Sequence, residues 1–274
     1  MSPGTKVPIK PGAILGILKE LRTTAKSDRP LAVTGARELV AVLTRELTRG
    51  GVASAVQEGK VEGAAALVHI LAGTSDHDDE RVLKAAAHAR IPIVVVSHGD
   101  PGHIPYVLDQ NVVRVGSGKS LPVEEIAERI ARSLGEAGTP LAARLPVLRR
   151  PVCEALIRKF SRQNAFIGLA FFVPGADMPV LTLNQVRLVL RIADAYGFEI
   201  DRDRVPEVLA VIASGLGFRS LARRTVGLVP IVGWVLKGGY AYVGTRTLGE
   251  AAMRYFERRA PVTRVAGART VFPR

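Results

Sequence analysis

The sequence predicts an α/β domain built on a parallel sheet, followed by an all-α helical domain. Through residues 30–137, short apolar strands alternate with amphipathic helical stretches, as in a parallel sheet covered by helices on both faces. After about residue 153 helical periodicity dominates. Charge divides the chain at the same place: residues 1–136 carry 17 Lys and Arg against 16 Asp and Glu, and residues 137–274 carry 21 against 9, net +12.

Residues 1–29 form a lead-in, polar and Pro-rich in "MSPGTKVPIKPG", with a short helix over 13–25. The lead lacks the apolar stretch of a secretory signal, so a cytoplasmic N-terminus is expected. In the α/β domain, strand 31–34 runs through Gly35 into helix 36–49. Strands follow at 52–57 and 65–72, then helix 79–89, strands 91–97 and 111–115, and helix 122–134. The run "IPIVVVS" suits a strand buried on both faces.

Residues 138–152 contain "GTPLAARLPVLRRP", whose three prolines read as a linker. The helical domain spans 153–259. Thr182 and Gln185 make a capping-box pattern before "VRLVLRIADAY", and Gly197 supplies its stop. Asp201 or Asp203 caps a further helix ending before Gly215 and Gly217. A long helix covers 231–257, and 260–274 is a flexible basic tail.

The passage from strand to helix at Gly35 leaves no phosphate-binding loop. A GxxxxGK[ST] loop spans roughly eight residues, so that backbone N–H groups wrap the phosphates while Lys and a hydroxyl reach them and Mg²⁺. Counted from Gly35, the last three positions are Val40, Ala41 and Val42. Element order over 30–135 nonetheless resembles the later part of a small Ras-like or Era-like GTPase. The strand that ends in NKxD in that family ends here in Ser97, His98, Gly99 and Asp100. "NVVRVGSGKSLPVEEIAERIARSL" occupies the place of the SAK-type loop and its helix, and DxxG has no counterpart before "AALVHILAG". The resemblance implies a pseudo-GTPase in which Gly35, Asp100 and Lys119 are the remaining nucleotide-site candidates and no cofactor is expected.

Three local clusters invite functional readings of their own. "GSGKS" at 116–120 resembles a phosphate site, but Pro122, Glu124 and Glu125 start the helix later and with the wrong charge, favouring a turn that exposes Lys119. Asp76, His77, Asp78 and Asp79 with His69 suggest a metal site, against the simpler reading of an N-cap at Ser75 or Asp76 followed by carboxylates that complement the helix dipole. His98 and His103 flank "GDPG" at the carboxyl end of a strand, where α/β ligands bind.

Composition narrows the partners. Aromatic residues are 5% of the chain, too few for the stacking platforms of single-strand binders, and no recognition helix is evident, which ranks nucleic acid last. The lone Cys153 fits a reducing compartment. In the second half 19 of the 21 cations are Arg, the residue best suited to planar anions. Two apolar stretches, 163–176 and 225–245, are cut by Pro174, Gly175, Pro179 and Pro230 and fall short of the ~20-residue span of a membrane helix. Arg158, Lys159 and Arg162 precede the first, and Arg219, Arg223 and Arg224 precede the second. These six are the lipid-headgroup candidates of an interfacial segment. A compact helical core is the equal alternative, with helices in close approach where Ala241, Thr245 and Gly249 recur every fourth position.

Pro174 with its apolar approach, "LTLNQVRLVLRIADAYG", Pro230 and "TRTLGEAAMRYFE" place 171–257 in resemblance to the bacterial domain of unknown function 697. Members often follow GTPase domains, and some are treated as membrane proteins. The resemblance supplies no catalytic residues. The expectation is a non-catalytic adaptor on the cytoplasmic side of a membrane, peripheral or shallowly inserted, with anionic lipids and a protein partner, self-association being left open. The alternative is a soluble regulator with weak guanine nucleotide binding.

Overall fold

The computed structural model describes residues 28–116, 119–170, 178–199 and 233–260, with isolated positions at 16, 19, 205, 208–210 and 270–271. Five strands form one sheet: β1 (Leu31–Gly35), β2 (Val56–Glu58), β3 (Ala66–Leu71), β4 (Ile93–His98) and β5 (Val112–Val115). Their order is β2-β1-β3-β4-β5, and every neighbouring pair is parallel. Helix α1 (Arg37–Thr48) joins β1 to β2, α2 (His77–His88) joins β3 to β4, and α3 (Val123–Leu134) follows β5. Chain order reverses between β1 and β3, the topological switch point of a doubly wound sheet.

Alternation along the strands separates two apolar layers. Leu31, Val33, Val68, Ile70, Val94 and Val96 face α1 and α3, while Ala32, Leu67, Leu71, Ile93 and Val95 face α2. The strand expected over 52–57 is shorter, because Ala53–Ala55 forms a 3₁₀ turn before β2. Helix α2 starts two residues before the expected position because Asp76 caps it.

The expected linker is corrected by the structure. Helix α4 covers Thr139–Arg144 and α5 covers Pro146–Ala170, separated by Leu145 alone. Pro140 lies in the first turn of α4 and Pro146 opens α5, positions where a missing N–H costs nothing. Only Pro151 lies inside a helix. Leu141, Ala142, Leu145, Leu148 and Val152 are buried in the same core as β1 and α3. Contact with the α/β unit is close: the Val52 N–H donates to the Arg144 carbonyl at 2.9 Å, and a Cβ on Gly51 would lie 2.5 Å from that oxygen.

Helix α6 (Met178–Ala195) also starts before its expected cap, placing Thr182 inside the helix and Pro179 in its first turn. Gly197 does end it, at φ 74°, with its N–H donating to the Asp194 carbonyl at 2.7 Å. Helix α7 spans Gly233–Glu257. Thr270–Val271 (β7) pairs with Phe198–Glu199 (β6), so the tail expected to be flexible is paired at this point. The expected helix at 13–25, Asp201, Asp203, Gly215, Gly217 and Arg219, Arg223 and Arg224 lie outside the described residues.

Helices α5, α6 and α7 pack together. The Asn164 side chain on α5 donates to the Thr245 hydroxyl on α7 at 2.8 Å, and Asn184 on α6 donates to the Asn164 carbonyl oxygen at 3.0 Å. Gly249 on α7 lies against Ile157 and Leu188. These pairings run α5 antiparallel to both α6 and α7. Thr245 and Gly249 are buried and Ala241 is half-buried, so the small-residue stripe lies at the helix contact. A Cβ on Gly249 would sit 2.6 Å from Ile157 Cγ1, whereas one on Gly244 would meet nothing within 4 Å. Gly249→Leu is therefore expected to destabilise by about 3 kcal/mol through overpacking. Gly244→Ala should be neutral or stabilising by up to ~1 kcal/mol. Urea denaturation of the two variants checks the contrast.

Candidate functional site

The carboxyl edge of the sheet is where a doubly wound fold binds its ligand. Here the switch point is closed by backbone. Gly35 has φ 106°, and a Cβ on it would lie 2.0 Å from the Ile70 carbonyl oxygen on β3. The Ala36 N–H donates to that same oxygen at 3.0 Å, and α1 begins at the next residue. A phosphate loop needs free N–H groups around an open concavity; the first amide after the strand is instead bonded to the sheet. Close approach to the Ile70 carbonyl, together with the positive φ, requires glycine at this position.

Below this turn lies a hydrogen-bonded relay. Thr34 and His69 are register partners on β1 and β3 and point to the α2 face. Thr34 Oγ1 lies 2.7 Å from His69 Nδ1, and His69 Nε2 lies 2.9 Å from Asp79 Oδ1. Burial drives the His69 pKa below its ordinary 6.5, outweighing the upward pull of Asp79. The ring is therefore neutral near pH 7, and its contact with Asp79, although within ion-pair distance, is a hydrogen bond to a carboxylate. With Nε2–H donating to Asp79, Nδ1 accepts the Thr34 hydroxyl proton.

Hydroxyl, imidazole and carboxylate in sequence are two of the three parts of a nucleophilic site. Thr34, however, is 6% exposed and lies beneath α2, whose nearby amides are already engaged. Asp76 accepts from the Asp78 and Asp79 amides, and Asp79 Oδ2 accepts from the Asp76 amide, completing a capping box. The Asp76, Asp78 and Asp79 amides, so engaged, do not supply an oxyanion hole. The relay ties the first turn of α2 to two strands. The acidic cluster thus has the capping role the sequence offered as one alternative, and no group of three or more His, Cys, Asp and Glu among the described residues is arranged to hold a metal ion.

The other candidates of this half are spread along the same edge. The Asp100 carboxylate accepts the Gly102 amide at 3.0 Å, closing its own turn. Lys119 is exposed, and its amide donates to the Gly116 carbonyl in a tight turn. The Gly99 amide donates to the Val115 carbonyl at 3.2 Å, which brings the roots of the Asp100 and Lys119 loops side by side. His98 is half-buried with no partner at Nε2, and His103 is exposed.

The three described headgroup candidates have different surroundings. Lys159 Nζ is 2.7 Å from Glu136, which also has Arg187 and Arg191 each at 3.4 Å. Burial alone would raise the Glu136 pKa, but Lys159 with Arg187 and Arg191 outweigh it and hold the carboxyl below the usual range. Lys159 therefore joins α5 to the turn after α3. Arg158 and Arg162 are exposed and have no partner among the described residues. Sequence reasoning missed both the Thr34 hydroxyl and the Glu136 cluster.

No protein-family model matches the chain, and no curated protein matches it. No helix among the described residues is long and apolar enough to cross a membrane.

Gly35→Ala is expected to destabilise by at least ~3 kcal/mol, since both the backbone conformation and the Ile70 oxygen oppose a side chain. The His69 contribution has a definite sign: with the folded pKa below 6.5, the unfolded chain binds more protons at acid pH. Its stabilising contribution is present above about pH 6.5 and is lost as pH falls through the folded value. The urea midpoint of the wild type should thus fall more steeply from about pH 7.5 to 5 than that of His69→Leu, compared by parallel titrations.

Proposed function

We propose that this protein is a non-catalytic adaptor: a pseudo-GTPase-like α/β unit that binds a protein partner, joined to a basic helical region that docks on an anionic membrane surface at its cytoplasmic side. The observation that carries the non-catalytic part is the Gly35 contact with the Ile70 carbonyl, which leaves backbone packing where a phosphate loop would stand. The parallel sheet with helices on both faces is common to doubly wound folds, and the GTPase-like part of the reading rests on element order in the sequence.

The membrane part is supported by the net +12 of residues 137–274 and by Arg158 and Arg162, which are exposed and have no partner among the described residues, since cations near an anionic leaflet each contribute about 1 kcal/mol. A second reading, a soluble regulator with weak guanine nucleotide binding, is favoured by the adjacent roots of the Asp100 and Lys119 loops. Titration calorimetry of the full chain with GTP and GDP separates the two. The adaptor reading expects no heat with either nucleotide, and a measurable dissociation constant abolished by Asp100→Ala would replace it. Sedimentation with phosphatidylserine vesicles is expected to show salt-sensitive binding, absent with neutral vesicles and weakened in Arg219→Glu, Arg223→Glu, Arg224→Glu. Recovery in the supernatant under every condition would end the membrane reading.

A further inference from the structure

We propose, resting on the membrane reading above, that the end of the α5–α6–α7 unit away from the sheet is the element that enters the bilayer surface, with Phe166, Tyr240 and Val243 in the acyl boundary and Arg158 and Arg162 on lipid phosphates. Helix direction locates this end. Because α5 is antiparallel to α6 and α7, the last turn of α5 and the first turns of α6 and α7 come together. At the opposite end, Thr139 Oγ1 donates to Asp194 at 2.6 Å, and midway along α5 Lys159 meets Glu136 beside the α/β unit.

Large apolar side chains are exposed at the free end on all three helices. Phe166 on α5 is 71% exposed, Tyr240 and Val243 on α7 are 57% and 58%, and Val180 on α6 is 39%. Elsewhere along these helices apolar side chains such as Leu156, Phe160, Val186, Leu188 and Leu248 are buried. A concentration of exposed apolar groups at one place marks a surface that meets another apolar phase.

Charge identifies the occupant. Arg158, Arg162 and Phe166 follow at intervals of four and share one face of α5. At 1.5 Å per residue, Arg162 lies ~6 Å and Arg158 ~12 Å behind the ring along the helix. An aromatic ring seated about 5–10 Å into the interface would thus place both guanidinium groups at or just above phosphate level. Guanidinium forks are suited to phosphate oxygens. A protein partner of matching shape would need no anionic layer at this fixed distance from its apolar pocket, whereas a bilayer supplies one everywhere.

The test uses the full chain with phosphatidylserine–phosphatidylcholine vesicles. The variant Phe166→Ser, Tyr240→Ser, Val243→Ser, all at exposed positions, is expected to bind at least about tenfold more weakly, with its residual binding abolished by salt. Thermal denaturation checks that it folds. Arg158→Glu, Arg162→Glu should lose binding at low salt. A second measurement does not depend on affinity. Cys153 is wholly buried, so Phe166→Cys and, separately, Leu108→Cys each carry one accessible thiol for an environment-sensitive fluorophore. A blue shift and quenching by bromine-labelled lipid chains are expected at 166 and not at 108.

If the wild type binds vesicles while the triple variant binds equally and the label at 166 stays in water, the assignment of this end is overturned and the membrane reading stands. If the wild type binds no vesicles, both fall. Self-association of the wild type that the triple variant loses, without lipid quenching at 166, would make the surface an interface between copies and overturn the proposal.

Discussion

Burial of α5 on two sides at once is the constraint on which the rest of the structure depends. Val152, Cys153, Leu156, Ile157 and Phe160 are all within 4% of full burial. They belong to a single apolar cluster that runs from Leu31 on β1 through α3 and α4 to Phe256 on α7. Each large side chain so placed contributes about 1.5–3 kcal/mol, so neither the sheet nor the helical unit closes its core without this helix. Burial also pushes the Cys153 thiol well above its ordinary range, leaving it a small apolar side chain with no reactive form near neutrality. The α/β unit and the helices are consequently one packed body.

The sequence revealed what is local. The alternation of strand and helix, the direct passage from β1 to α1, the cap before α2, the stop at Gly197 and the contact of Thr245 and Gly249 all follow from periodicity, turn chemistry or side-chain size within a few residues. It misled where a residue has two meanings. Prolines 140 and 146 look like breakers, yet a helix accepts proline in its first turn, and only the pattern of Leu141, Leu145, Leu148 and Val152 indicated a buried helical path. Thr182 has a cap's chemistry but follows a start already made possible by Pro179.

The candidate sites were less legible because their partners are distant in the chain. Thr34 meets His69 across 35 positions, and only the strand register brings them together. The acidic cluster could be counted, but which carboxylate would turn inward to His69 and which would cap depended on that register. Lys159 looked equivalent to Arg158 and Arg162 on an unfolded string; its commitment to Glu136, 23 positions earlier, is a product of tertiary packing. The tight turn at Gly35 was the exception, because the direct passage from an apolar strand to an amphipathic helix across one glycine is visible within a few residues.

The polar contacts among α5, α6 and α7 have a consequence of their own. Asn164, Asn184, Gln185 and Thr245 index the helices to one another with groups that carry no charge at any ordinary pH, while the exposed Arg158 and Arg162 lie outside this layer. Ionic strength therefore reaches the exterior of the bundle without loosening its interior register. Under the proposed docking, such a body would leave an oppositely charged surface still folded, and attachment would repeat without a cycle of unfolding.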